Sequence, residues 1–350
     1  MKKLLILQDE ISSYNVSTYN EIAKAFDLTL GYLSKDNSSR DCHFRKHQFA
    51  CWSFGPLRFV KGLRSFCRQF DIVCILPNLR IPSFCLIPFL PHGYRVVSWS
   101  IGFRCSYTHP YVTGRKHGLA DNLFQAVLKR CDANIFYMEK SMEFWKGTHL
   151  RRDNIFVAPN TTDVEEIAFR PELKKDFLFV GTLYRGKGLE TLLRSFKTFK
   201  QETSSDIRLV IVGGGEMEVE LKAYSQNNGL SDDVTFTGPI YDEKVLSTYF
   251  AASLLCFSPT QAGLSVPKSM GYGVPFVTRK DAITGGELYH IADGENGILY
   301  SRDEELAAIM KDAASCREKY VAMGEKAREY YYAHATVRHM AQGAMDAFNA

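Results

Sequence analysis

The residues best suited by type and spacing to do chemistry lie near the middle of the chain. An apolar run, Phe177-Leu-Phe-Val180, leads into Gly181-Thr-Leu-Tyr-Arg-Gly-Lys-Gly188, after which Leu189, Leu192, Leu193 and Phe196 fall on one face of a helix. Glycines let the backbone come close to a ligand, and a helix start offers unpaired N–H groups and the positive end of a dipole. Arg185 and Lys187 add full positive charge. Together these describe an anion site. It is not a Walker loop, because the Gly-Lys-Ser/Thr ending is missing. A second strand-to-helix turn, Leu209-Val-Ile-Val212 followed by Gly213-Gly-Gly215-Glu216, lacks Gly-x-Gly-x-x-Gly and reads first as a tight turn.

Short apolar strands alternate with amphipathic helices along the whole chain, the pattern of parallel sheets wound with helices. Strands are expected at residues 4–7, 28–32, 72–76, 96–99, 134–137 and 155–158, and again at 177–180, 209–212, 234–237, 254–257, 276–278 and 297–300. Twelve parallel strands exceed the usual size of one open sheet, so two Rossmann-like α/β domains are expected. The break falls between Asn160 and Pro171, giving domains over 1–163 and 164–335, with 336–350 a helix that packs back on the first domain. In such sheets ligands lie beyond the carboxyl ends of the strands, so the loops after strands should carry the site.

With 350 residues, 45% apolar and 23% charged, the chain reads as an ordinary globular protein and not as a disordered, collagenous or coiled-coil one. The most apolar segment, Ile81 to Pro91, is short and holds three prolines, too little to cross a bilayer. Met1-Lys2-Lys3 and four apolar residues run straight into Gln8-Asp9-Glu10, a first strand and not a signal peptide. Nine cysteines stand singly, which favours reduced thiols and a cytoplasmic setting. The net charge of +4 is uneven: residues 1–163 hold 22 Lys/Arg against 13 Asp/Glu, the rest 21 against 26. Between Arg40 and Arg68 cations alternate with Trp52, Phe54, Phe59, Phe66 and Phe70. That stretch suits an anionic membrane surface or a charged, lipid-linked substrate; alternatively it is a solvated helix with Phe59, Leu63, Phe66 and Phe70 packed inward. Nucleic acid is not expected as a partner, because no binding motif accompanies the moderate charge.

Three stretches, FLFVGTLYRGKGLETLL, LVIVGGGEMEVELKAYSQNNGLSDDVTFTGPI and SPTQAGLSVPKSMGYGVPFVT with DGENGILY behind it, resemble in order and spacing the family 4 glycosyltransferases, over about residues 176–300. The first half is similar more loosely, through Val96-Val-Ser-Trp-Ser-Ile-Gly102, Phe136-Tyr-Met-Glu-Lys140 and Asn160-Thr-Thr-Asp163. The resemblance implies the GT-B fold, two Rossmann-like domains facing across a cleft. The first would take a glycan or lipid-linked acceptor and the second a nucleoside-diphosphate sugar, with retention at the anomeric carbon and work on bacterial surface polysaccharide.

By the same resemblance Lys187, helped by Arg185, would neutralise the leaving diphosphate. No Asp-x-Asp occurs to hold a divalent ion, so neither metal nor cofactor is expected beyond the sugar nucleotide. Donor contacts would come from Gly181, Thr182 and the Gly263-Leu264-Ser265 segment. The chain departs from the family where an arginine usually follows Gly181, since Thr182 stands there. Two glutamates eight positions apart are replaced by Thr260 and Lys268, and a histidine before Gly102 by Ile101. Gly285-Gly286-Glu287 resembles a variant carboxylate motif, making Glu287 a candidate for ribose or sugar hydroxyls. Lys268 has two readings, a partner of the diphosphate or a helix cap. Ser13, Tyr14 and Asn15 should line the acceptor site, with His109 a substitute for the missing histidine. The departures also fit a GT-B-shaped protein that binds nucleotide or glycan without catalysis.

Overall fold

A computed structural model describes residues 1–38, 41–104 and 117–350. Arg40 and His109 therefore lie outside the described residues. The chain forms two units: Met1–Thr162 together with Thr336–Ala350, and Asp163–Ala335.

Among the described residues nine strands belong to the first unit: β1 Lys3–Leu7, β2 Asp27–Tyr32, β3 Arg45–Gln48, β4 Cys51–Phe54, β5 Leu57–Val60, β6 Ile72–Ile75, β7 Arg95–Ser100, β8 Ala133–Phe136 and β9 Ile155–Val157. Seven of them make a parallel sheet in the order β3-β2-β1-β6-β7-β8-β9, while β4 and β5 pair as an antiparallel hairpin. The central strands β1 and β6 are apolar and buried over nearly their whole length, as strands covered on both faces require. Alternation sends Leu4 and Ile6 to one buried cluster and Leu5 and Leu7 to the other. The helix Val337–Asn349 closes the first of these, burying Met340, Ala344 and Phe348, with the Phe348 ring edge-on to Phe26 at 5.7 Å. Its small residues permit close approach. A Cβ on Gly343 would stand 2.1 Å from the carbonyl oxygen of Val157 in β9.

In the second unit β10 Asp176–Val180, β11 Leu209–Val212, β12 Val234–Gly238, β13 Ser253–Phe257, β15 Phe276–Arg279 and β17 Gly297–Tyr300 form a parallel sheet in the order β12-β11-β10-β13-β15-β17. Two short strands, β14 Gln261–Ala262 and β16 Ile283–Thr284, pair beside it. Phe177, Phe179, Leu209 and Ile211 face one core, Leu178, Val210, Val212 and Cys256 the other. In both sheets the winding direction reverses once, between β1 and β6 and between β10 and β13. Loops leaving neighbouring strands in opposite directions open a crevice at such a point.

All twelve expected strands are present, to within a residue or two at their ends. Strand β3 was not expected. Its Arg-Lys-His-Gln sequence is that of an exposed edge strand, where charge guards against further pairing. The basic stretch is not one amphipathic helix. Gly55, at φ +55°, and Pro56 turn it into the β4–β5 hairpin, so Phe59 lies in a strand, and only Leu63–Cys67 is helical. Among the described residues no helix is long and apolar enough to cross a membrane.

Gly343→Val should destabilise the protein by about 1–3 kcal/mol, the usual range for overpacking a tight contact. A fall in the melting midpoint, read by circular dichroism, is the expected result; an unchanged midpoint would mean that the last helix yields freely.

Candidate active site

The switch point of the second sheet gathers most of the residues singled out by sequence. Strand β10 ends in the loop 181–188, and β13 ends in the loop 258–264. Three contacts lock them together. Gly188, left-handed at φ +71°, begins the helix Leu189–Glu202, and a Cβ there would stand 2.9 Å from both Pro259 and Thr260. The Thr260 hydroxyl donates to the carbonyl of Gly186 at 2.6 Å, and the Tyr184 hydroxyl donates to the Gln261 side chain.

The triple glycine does more than turn the chain. The Leu183 amide donates to Gly214 O and the Met217 amide to Leu183 O, both at 3.0 Å. A Cβ on Gly213 would be 1.9 Å from Gly181 O, and one on Gly215 would be 2.4 Å from Leu183 O. Only glycine lets the loop after β11 lie flat against the loop after β10.

Lys187 sits in a short 3-10 turn on this platform and is half-buried. Its Nζ lies 3.7 Å from where a Gly181 side chain would begin and 5.8 Å from the Tyr184 ring centre. Among the described residues the amine has no hydrogen-bonded or ion-paired partner. Burial pushes it down to about 8, against an opposing pull from Glu287 and Cys256. Glu287 is buried; one carboxylate oxygen accepts from the Gly285 amide at 2.8 Å and the Thr284 hydroxyl at 3.1 Å. The pairing of β14 with β16 carries Thr284 to the loop after β13. Gly263 fronts open space, since a Cβ there would meet nothing within 4 Å, and Ser265 starts the helix Ser265–Gly271.

Other candidates stand apart from Lys187. Arg185 is exposed, its guanidinium 3.2 Å from Glu220 and 3.6 Å from Glu190. Thr182 is exposed in the same loop. Lys268 neither caps a helix start nor presents a free cation: its ammonium is 2.6 Å from Glu243, whose other oxygen takes the Tyr272 hydroxyl at 2.6 Å. Leaving Glu243 would strand a carboxylate that is only 19% exposed. Sequence reasoning missed Glu243, because nothing in its local pattern announces a partner 25 residues away.

In the first unit, Ser13–Asn15 form a 3-10 turn after β1, at that sheet's own switch point, with Tyr14 exposed. Asp9 beside them is bound through both oxygens to Arg58, which holds its carboxyl below the usual range. A base so engaged is weak. Ile101 and Gly102 offer only backbone, their carbonyls taken by Ser141 and Trp145. Among the described residues no group of three or more His, Cys, Asp or Glu is placed to hold a metal ion.

Residues 160–330 match the family described as glycosyl transferases group 1. A phosphatidyl-myo-inositol mannosyltransferase of Mycobacterium leprae is 26% identical over 238 residues, 63% of this chain and 61% of that protein. The chain spans 56% to 61% of the length of the first two curated relatives it matches. The Anabaena protein HepE in complex with UDP superposes over 99% of both chains with TM-score 0.75 at 16% identity. WaaG, a glycosyltransferase involved in lipopolysaccharide biosynthesis, superposes over 98% of both chains with TM-score 0.67 at 14% identity. The likeness shows the fold: this chain has the GT-B fold, with two Rossmann-like parallel-sheet units.

Because Glu287 raises the proton affinity of Lys187, Glu287→Gln should lower the amine's titration midpoint below about 8. NMR of the isotopically labelled lysine would read it, and an upward shift would refute the coupling. Gly213→Ala should displace the 181–183 backbone and cost at least 1 kcal/mol or so of stability, seen in denaturant unfolding.

Proposed function

We propose that this chain is a retaining glycosyltransferase. It moves a sugar from a nucleoside-diphosphate donor to a glycan or lipid-linked acceptor in the synthesis of bacterial surface polysaccharide. One observation carries the reading: an amine stripped of much of its water, without a hydrogen-bonded partner among the described residues, over a loop that only glycines can build. A desolvated cation is costly until an anion meets it, and a diphosphate is an anion of the right charge. Breaking the sugar–phosphate bond adds negative charge to the phosphate oxygens, so an amine fixed there favours the transition state over the ground state. The helix starts at Leu189 and Ser265 add positive dipole ends.

In this reading the second unit holds the donor. Gly181, Thr182 and Gly263 to Ser265 border the diphosphate and sugar, and Glu287 faces hydroxyls while steadying Lys187. Arg185 serves only after leaving its two glutamates. The acceptor belongs to the first unit, near Ser13, Tyr14 and Asn15. No metal or cofactor is assigned; the amine and the helix ends carry the charge. The protein works in the cytoplasm, peripheral to the membrane that carries its acceptor. The group 1 match over 160–330 and the lipid named in the M. leprae relative support these parts.

A second reading, a nucleotide-binding partner without catalysis, draws on one finding: Thr260 and Lys268 spend their side chains on internal bonds to Gly186 and Glu243. Nucleotide release from donor sugars in the presence of acceptor separates the two, since binding without release favours the second.

Lys187→Ala should cut kcat/KM about 100- to 1,000-fold, the usual loss for one preorganised charge donor, with an unchanged melting profile. Unchanged transfer would remove the role. The pH dependence has a definite sign. The anion needs the protonated amine, so affinity for UDP should hold at neutral pH and fall about tenfold by pH 9, one unit above a pKa of about 8. An ordinary lysine would keep its charge to beyond 10. Calorimetry of UDP binding to wild type and Lys187→Ala checks this, the variant being expected to lose the pH dependence.

A further inference from the structure

From Cys42 to Arg95 the chain carries eight lysines and arginines and a single carboxylate, Asp71. Three of the cations are already paired: Arg45 with Asp27, Lys46 with Asp36 and Arg58 with Asp9. Two of the rest converge on a cavity of about 490 Å³ in the first unit, lined by Arg64, Ser65, Arg68, Ser83, Leu86 and Leu90 among others. Arg64 gives one bond, at 3.3 Å, to the carbonyl of Pro91. The Arg68 guanidinium has no hydrogen bond or ion pair among the described residues. Among the described residues no acidic side chain lines the cavity.

Around these cations sit large apolar side chains left in water. Leu86 is 50% exposed, Phe89 44% and Leu90 38%, consecutive parts of the Pro82–Cys85 helix and the turn after it. The β4–β5 hairpin packs on that helix, through the Arg58 amide to Arg80 O and the Val60 amide to the Ser83 hydroxyl, and it exposes Trp52 and Phe54. Five of the large apolar side chains that the described residues expose thus fall in a 39-residue stretch, 52–90. Exposed apolar residues beside two arginines that no carboxylate of the described residues neutralises match one kind of surface, lipid phosphate above and hydrocarbon below.

We propose that this face docks on an anionic lipid bilayer, with Arg64 and Arg68 gripping a headgroup phosphate in the cavity while Leu86, Phe89 and Leu90 enter the interface. The docking deepens the membrane part of the functional reading and rests on it for purpose, but not for measurement. Electrostatic attraction brings the cations to the surface, the leucines and phenylalanine gain by leaving water, and the Ser83 hydroxyl, which accepts from the Val60 amide and keeps its own hydrogen, completes the bonds to a phosphate oxygen.

The test is sedimentation of the full chain with vesicles of phosphatidylcholine, with and without phosphatidylglycerol. Pelleting is expected only with phosphatidylglycerol and should fade as salt rises. Arg64→Gln and Arg68→Gln should each weaken it about fivefold, and together about 25-fold, from the usual contribution of a cation near an anionic surface. Leu86→Ser with Leu90→Ser should weaken it as well. All four positions are exposed or at the cavity rim, so the melting profile and UDP affinity should not move. Equal pelleting on both vesicles, or wild-type pelleting by the arginine double variant, would overturn the proposal. So would an arginine-dependent thermal shift with inorganic phosphate and no pelleting, which would leave a free-phosphate site instead. If vesicle binding fails while UDP binding persists, the docking face falls and the transferase reading stands; the reverse result spares the face alone.

Discussion

The second unit depends on an energetic tension: an ammonium group held where water reaches it poorly. Nothing in a short loop of mixed residues would keep Lys187 there by itself. The constraint is imposed by backbone-on-backbone contact, since Gly213 and Gly215 leave no room between the loop after β11 and the carbonyls of Gly181 and Leu183. Gly188 gives the same closeness against Pro259 and Thr260. Three strand ends are thereby fused into one rigid surface, and the lysine stands on it with Glu287 as its electrostatic counterweight. Rigidity matters because a charge stabilises a transition state best when it does not have to reorganise.

Much of this architecture was legible because strand periodicity and helix periodicity are local properties. Leu4–Leu7, Ile72–Ile75 and Leu209–Val212 are apolar at every position, which only a strand covered on both faces tolerates. The glycine-lysine loop was legible too, since phosphate chemistry needs those types at that spacing. What stayed hidden was pairing across sequence distance. Lys268 reads as a cation facing a ligand until Glu243, on another helix, takes it. Arg185 reads as a helper of Lys187 until Glu190 and Glu220 claim its guanidinium. Nothing in the sequence around Asp9 shows that Arg58, 49 residues away, binds it. The edge strand β3 was hidden for a different reason, because solvent exposure erases the apolar signal by which strands are recognised.

The positive charges do different work in the two units. In the second unit Arg185 and Lys268 are taken by neighbouring carboxylates, which leaves Lys187 as the desolvated cation of its site. In the first unit the surplus remains, because residues 42–95 hold one carboxylate for eight cations. Unneutralised charge concentrated on one structural region is informative in a way that overall net charge is not.

The helix Val337–Asn349 completes the sheet unit that begins at Met1, although the whole of the second unit is strung between them. During synthesis the β10–β17 sheet therefore emerges and can settle while one hydrophobic layer of the earlier sheet, around Ile6 and Phe26, still lacks its cover. The earlier half would spend that interval with this layer open to water, until the helix Val337–Asn349 docks on it.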